Sequence, residues 1–442
     1  METEITWFFD KAMKDFERTG QINMQALEKG FRDAAMRAGS AALCDFLSVA
    51  EEPIPNCPDC GKEMRCIDHR TKYIVSMMGA GELNRGYYVC DHCGAHFIPR
   101  DAELDMVGTS FTPGVRRSAS LLACSEPFEW SSNILEEISG VTVSSKECQR
   151  IAEETGENIE KAFVAIKNEV LAPVRHGCDG IPNKPVVKDI SVGYLAGDGT
   201  GVPMVPSELD GRSGKQEDGS SKTREAKLGC IFTQTSVDKD GNPVRDPNTT
   251  RYFGAIETSE EFGKRLYANA EQYGLLERAK VIVILGDGAR WIWSQAKLHF
   301  PDAILIVDLF HAKEHVHNLV KKLRQGTAAQ KELLDEWLPL LENGQALELS
   351  NRIMNYPAEN KEQADCLKRE AGFFFDNADK MKYDEFKEKG FFVGSGVIEA
   401  GCKTIVGKRL KQSGMFWSEY GANAIIALRC NELSNPRCRL IA

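Results

Sequence analysis

No apolar run in the chain approaches the roughly 20 residues that a membrane-spanning helix needs, so no membrane partner is expected. The first residues, METEITWFFDK, lack the basic-then-apolar layout of a secretory leader, and a cytoplasmic protein is expected. In that compartment the 14 cysteines read as thiols or metal ligands rather than as a disulfide framework. An excess of positive charge is also missing. The net charge of −10 argues weakly against nucleic acid as a partner, unless basic residues gather in local patches. No Walker-type phosphate loop occurs, and no Ser-His-Asp or Cys-His arrangement is well placed for nucleophilic catalysis.

The length of 442 residues exceeds one ordinary core, and composition shifts along the chain suggest where to divide it. Residues 1–50 show apolar positions at helical spacing, which implies a packing or dimerisation segment. Residues 51–105 carry Cys57-Pro-Asp-Cys60 and Cys90-Asp-His-Cys93, with Gly61 and Gly94 directly after each pair. Two such knuckles aim four thiolates at one point, and the intervening residues suit a β-hairpin, so a zinc ribbon with one structural Zn is expected. Cys66, His69, His92 and His96 lie nearby and are read as non-ligands. Residues 106–170 suggest a helix-turn-helix-like DNA-binding domain. Ser131-Ser132-Asn133 would cap a helix Ile134–Ser139, Gly140 would end it, and Ser144 or Ser145 would cap the next. Residues 171–190, with three prolines and two glycines, read as a linker.

From residue 191 the pattern becomes three strands, a helix, a strand, a helix and a strand, the order of an α/β ribonuclease H-like core. The strand Val192–Gly197 ends at Asp198, Val281–Leu285 leads to Asp287, and Ala303–Val307 ends at Asp308. Acids at the carboxyl ends of such strands sit where open α/β sheets place ligands, although an aspartate there often only caps the next helix. In this topology the first and fourth strands are neighbours, so Asp198 and Asp287 would face one another. The first part of the core covers 191–311, a helical insertion 312–390, and the last part 391–442. That last part opens a helix with Glu399 near its start and Lys403, Lys408, Arg409 and Lys411 along it, a basic surface suited to DNA. Further basic groups are Arg212, Lys215, Lys222, Arg224 and Lys227, and then Lys321, Lys322 and Arg324. Three carboxylates on separate elements can hold two divalent cations for displacement at phosphorus, and Mg²⁺ suits such a site.

The segments LAGDGTGVPM (195–204), GDGARWIW (286–293), Asp308-Leu-Phe-His311 and GSGVIEAGCKTIVGKRLKQSGMFWSEYGANAIIALR (394–429) resemble the ISKra-type bacterial insertion-sequence transposases. These belong to the wider D-D-E class that includes the Mutator-like elements. The stretch RGYYVCDHCGAHFIPRDAEL (85–104) is similar to the same family. The resemblance implies a ribonuclease H-like fold with a helical insertion, and metal-dependent cutting and joining of transposon ends. It implies two Mg (or Mn) ions on Asp198, Asp287 and Glu399. The middle acid of related families sits in a strand-Asp-Gly motif, which Asp287-Gly288 fits. Asp308-x-x-His311 fits a second signature one strand later, which places both residues beside the metals. Implied partners are double-stranded terminal inverted repeats, target DNA and a second or further copy of the chain. A domesticated non-catalytic DNA-binding regulator, and a nuclease that cuts without joining, remain alternatives.

Overall fold

The computed structural model describes residues 2–21, 23–49, 53–171, 189–211 and 221–434. Most of the expected linker, and with it Arg212 and Lys215, lies outside the described residues. The chain forms two compact units that divide between Thr155 and Gly156. None of the described helices is long and apolar enough to cross a membrane.

In the first unit, helices α1 (Glu2–Thr19) and α2 (Met24–Val49) precede a long hairpin of β1 (Arg65–Ser76) and β2 (Gly79–Val89). A short β3 (His96–Phe97) and a helical turn α3 (Pro99–Glu103) follow. The hairpin is antiparallel throughout, with one bulge between Cys66 and Asp68. Its Ile74 and Leu83 are buried with Cys44 of α2 and with Met106. Helices α4 (Pro113–Ser125) and α5 (Phe128–Ser139) and the start of α6 (Ser145–Leu171) bury Val115, Leu135, Cys148 and Ile151 together. Helix α5 begins six residues earlier than the sequence suggested. Pro127 supplies its N-cap position, because the ring fixes φ and no N–H is needed there. Ser131 therefore lies inside the helix, its hydroxyl donating to Pro127 O at 2.9 Å instead of capping. Gly140 ends the helix in the left-handed conformation, φ 72°.

The second unit contains a five-stranded mixed sheet with order β10-β9-β4-β5-β8. Its first strand, β4 (Ile190–Pro203), pairs antiparallel with β5 (Thr223–Gln234). A small ribbon, β6 (Ser236–Val237) with β7 (Pro243–Val244), leads into β8 (Arg251–Ala255), which pairs antiparallel with β5. Helices α7 (Ser259–Gln272) and α8 (Leu275–Arg278) carry the chain to β9 (Ala279–Gly286), parallel to β4. Helix α9 (Arg290–His299) then crosses over to β10 (Ile304–Val307), parallel to β9. The order of elements is the one expected, but β4 is longer. It runs on past Asp198 because β5 continues to pair with it as far as Pro203 opposite Thr223.

After β10 the chain is helical: α10 (Leu309–Leu323), α11 (Thr327–Glu342), α12 (Ala346–Met354), α13 (Lys361–Asp376) and α14 (Tyr383–Glu388). The segment that follows is fastened back onto the sheet. Gln234 Nε2 donates to Gly390 O at 2.9 Å, and Tyr194 Oη accepts the Phe392 N–H at 3.1 Å. Tyr194 itself is fully buried and stacked on Phe232, ring centroids 4.7 Å apart. The last helical region comprises α15 (Gly396–Gly401), a π turn over Cys402–Gly407, α16 (Lys408–Leu410) and α17 (Glu419–Ser434). The π turn interrupts what the sequence suggested as one regular helix. Such turns insert an extra residue and are frequent at functional sites.

Candidate active site and metal centre

The parallel pairing of β4 with β9 ends at Gly197 opposite Gly286. Asp198 and Asp287 are the next residue on each strand, so they stand side by side at one sheet edge. The pairing of β9 with β10 ends at Gly286 opposite Val307, which puts Asp308 in the same row. The three aspartates differ sharply in what they do there. Asp308 is 5% exposed, and both its carboxylate oxygens accept backbone N–H groups. His311 N donates to one at 2.7 Å, capping α10, and Ser395 N donates to the other. Asp287 is half-buried and accepts one N–H, from Ala289 at 2.9 Å, in a turn that Gly288 completes at φ 99°. Asp198 accepts the Gly199 N–H at 2.7 Å.

Asp198 has its carboxyl pushed above the usual range, first by burial and also by the negative charge of Asp287. A hydrogen bond with the Cys402 thiol, the Gly199 N–H and the positive potential of His311 act the other way. Burial, and then the same contact with Asp198, drives the Cys402 thiol well above its ordinary value. Asp198, Asp287, His311 and Cys402 are therefore close enough to act on one another. Glu399 lies one helical turn before Cys402, so the two share a helix face. Its carboxylate is exposed and paired with Lys403 Nζ at 2.5 Å. Among the described residues the three acids do not bring ligand oxygens within 4.8 Å of one another.

His311 leads into a second group that sequence reasoning missed. Its ring lies 5.0 Å from that of His315, whose Nδ1 is 2.6 Å from Glu370 Oε2 on α13. His315 stacks on Phe373, centroids 4.0 Å apart and planes within 8°. Phe373 in turn closes over Gly288, where an added Cβ would meet its ring at 2.6 Å. The helices after β10 thus press on the loop that carries Asp287. The spacing of His311 and His315 was visible in the sequence. The partners of His315, Glu370 and Phe373, more than 50 residues away, were not.

The basic candidates divide as sharply. Lys408 and Lys411 are exposed, and Lys411 Nζ lies 2.5 Å from Thr200 Oγ1, two residues beyond Asp198. Arg409 is fully buried, 5.1 Å from the Trp417 ring, and does not reach the surface. The irregular turn before it rotates it inward. Of the cluster expected between the first two strands, Arg224 pairs with Glu419 and Glu208 and buried Lys227 pairs with Glu225 at 2.7 Å, so these two are neutralised, while Lys222 is exposed.

In the first unit, the thiols of Cys57, Cys60, Cys90 and Cys93 lie within 4.8 Å of one another. Cys57 and Cys93 are 3.5 Å apart, as are Cys60 and Cys90. A tetrahedral ion with bonds of ~2.3 Å requires sulfurs about 3.8 Å apart, so the cluster is of the size to hold one. The Cys90 thiol is lowered to about 6, chiefly by the N–H groups of Cys93 and His92 donating to its sulfur. Gly61 and Gly94 take φ 72° and 76°, which lets each knuckle turn back. Cys66, His69, His92 and His96 are not part of the cluster.

Residues 257–389 match a family model of ISL3-type D-D-E enzymes described as "Transposase". The matched stretch contains Asp287, Asp308 and His311 and leaves out Asp198 and Glu399. A protein of Streptococcus gallolyticus described as "UPF0236 protein in vanSb 3'region" is 23% identical over 337 residues. The alignment covers 75% of this chain and 66% of that protein, just under two thirds of its length. Among solved structures, the Drosophila P element transposase strand transfer complex shows 10% identity and a TM-score of 0.24. It covers 77% of this chain and 84% of its own, and a likeness of that degree defines no shared fold.

Proposed function

We propose, from the match of residues 257–389 to the ISL3-type transposase model, that the chain is the D-D-E enzyme of an insertion sequence. Its mixed sheet is read as a ribonuclease H-like core, interrupted by the helices from α11 to α14. Asp198, Asp287 and Glu399 hold divalent cations, Mg²⁺ or Mn²⁺. When bound, the metals supply an activated water or 3′-hydroxyl and stabilise the leaving oxygen of an in-line displacement. The observation that carries this reading is the pairing of Asp198 with Asp287 at the end of β4 and β9, with Cys402 against Asp198. That contact places the helical turn that carries Glu399 next to Asp198, with Glu399 one turn before Cys402. The exposed carboxylate of Glu399 and its lysine neighbour fit a site that opens to a charged ligand.

The remaining residues have supporting roles. Asp308 fixes the N-terminus of α10 and the segment before Glu399, and so acts beside the metals rather than on them. The positive potential of His311 at Asp198 suits contact with a phosphate next to the scissile bond. The four-cysteine cluster is read as a structural Zn²⁺ site, with no position open for catalysis. The zinc ribbon and the α5–α6 hairpin would bind terminal inverted repeats, with phosphate contacts supplying salt-dependent affinity. Two DNA ends must be held together, so the working form is a homodimer or larger, acting in the cytoplasm on bacterial DNA.

The test supplies purified protein, Mg²⁺ or Mn²⁺, DNA carrying the element's ends and a target plasmid. Strand-transfer products that vanish with Asp198→Ala and with Glu399→Ala support the proposal. Cleavage without joining points instead to a nuclease, and binding without cleavage to a regulator.

A further inference from the structure

Two cavities in the second unit meet along α13. One, of about 740 Å³, lies between α9 and α13 and reaches Gly288, the residue after Asp287. The other, of about 520 Å³, lies between α10 and α13 and is lined by His311 and His315. Arg369 lines both. Each cavity therefore touches a residue of the acid site, and together they form a groove leading away from it on either side of α13.

The lining is cationic in a chain of net charge −10. Five lysines and arginines but only two carboxylates line the larger cavity. Lys297 and Lys368 there, and Lys321 and Lys322 in the smaller one, are exposed and make no ion pair among the described residues. Solvated lysines alone would be unremarkable, but two further observations set this groove apart. Trp293 lines it at 6% exposure, and its indole N–H has no acceptor, a cost a folded protein rarely leaves unmet. Gly372 sits within α13 on the same wall, with nothing within 4 Å of where its Cβ would be. Glycine inside a helix is destabilising relative to alanine, and here it keeps the groove wall low.

We propose that this groove carries the phosphate backbone of the DNA strand entering or leaving the Asp198–Asp287 site. Lys297 and Lys368 neutralise phosphates, the Trp293 N–H donates to one of their oxygens, and Gly372 leaves room for the sugar, while Arg369 between the two cavities is held by Glu370 at 2.9 Å. The inference rests on the transposase reading and adds the DNA path to it.

Fluorescence anisotropy of a short labelled DNA duplex, titrated at several salt concentrations, tests this. A Lys297→Ala, Lys368→Ala double variant should bind about tenfold more weakly at low salt. Its slope of log affinity against log salt should flatten by about two, one for each lost phosphate contact. Trp293→Phe should weaken binding several-fold with the slope kept, and Gly372→Glu should weaken it through bulk and charge. Lys280→Ala, at the other end of β9, should leave affinity and slope at their wild-type values. Of the five changed positions all but Trp293 face solvent or open space, and thermal unfolding serves as the check that each variant is folded. A double variant with wild-type affinity and slope, in a protein that still joins DNA ends, overturns the groove and leaves the transposase reading standing. A wild-type chain that binds no duplex at any salt concentration overturns both.

Discussion

The division of labour between Asp287 and Asp308 can be tested by replacing each with asparagine. The two acids sit one strand apart at the same sheet edge, yet their surroundings predict opposite outcomes. Asparagine matches the carboxylate in volume but offers one acceptor where Asp308 uses two, for His311 N–H and Ser395 N–H. Whichever way the amide turns, its NH₂ faces a backbone donor. Losing a helix N-cap acceptor costs about 1 kcal/mol, and leaving a partly buried N–H unpaired costs about 1–3 kcal/mol. Only one of these is lost in full, so Asp308→Asn should destabilise the second unit by about 1–3 kcal/mol, a sizeable part of ordinary domain stability. Asp287 accepts a single N–H, from Ala289, which an asparagine oxygen also accepts, so Asp287→Asn should cost under about 1 kcal/mol. Chemistry should reverse the order: on the proposed assignment of Asp287 to the metals, Asp287→Asn should abolish strand transfer. Asp308→Asn should retain strand transfer in proportion to the fraction folded, recovering at lower temperature. Denaturant unfolding followed by circular dichroism gives the first quantity, and strand transfer onto a plasmid the second. An Asp308→Asn protein as stable as wild type but inert, beside an active Asp287→Asn protein, would refute the assignment.

Other outcomes follow from single contacts. Gly288→Ala must place a Cβ against Phe373 at a positive φ, so it should lower the melting temperature and reduce strand transfer more than stability alone explains. Phe373→Leu in the same protein should relieve part of the steric conflict and restore some activity. Glu261 is held at about 2 by hydrogen bonds from Lys167 and then Lys264. Because its folded value is depressed, it stabilises above the ordinary range near 4.5, and that contribution is lost as pH falls toward about 2. With 40% of the side chain exposed, the contribution is discounted to about 1 kcal/mol. The denaturant midpoints of wild type and Glu261→Gln should therefore differ by a constant amount above about pH 5 and converge below it. Elemental analysis should find one zinc per chain, lost with Cys57→Ser, while melting of the second unit stays unchanged. A Cys57→Ser protein that keeps its zinc would remove the cluster as the site.

How much of this was legible depended on sequence distance. The matched knuckles at Cys57/Cys60 and Cys90/Cys93 and the apolar strands before Asp198, Asp287 and Asp308 are local signals, and the corresponding elements are present. Errors arose where a neighbouring strand or helix decides. Asp198 seemed to end a strand because Gly199 and Gly201 follow it, but β5 pairs through both and holds the chain extended. Arg409 seemed to continue a basic face, but the π turn at Cys402–Gly407 carries it inward beside Trp417. The pairing of His315 with Glu370 links two helices that are adjacent only through the packing of the helices after β10.

The π turn also bears on how the chain beyond Glu399 and Cys402 is placed. In a regular helix, residues three apart share a face, so a straight continuation from Glu399 would carry Arg409 and Leu410 onward with a fixed rotation. One inserted residue shifts everything beyond it by about 100° relative to Glu399. Leu410 and Arg409 are buried as a result, while Lys408 and Lys411 stay outside and Lys411 returns to Thr200 beside Asp198. Glu399 is thus uncoupled from the buried end of its own helix and held between the Ser395 N–H at Asp308 on one side and, as its anchor on the other, the Cys402 thiol at Asp198. Cys402→Ser keeps a donor to Asp198, whereas Cys402→Ala removes it. If that anchor sets the position of the third acid, alanine should raise the Mn²⁺ concentration needed for half-maximal strand transfer, and serine should restore it. Equal metal requirements in the two variants would show that Glu399 is positioned by some other contact.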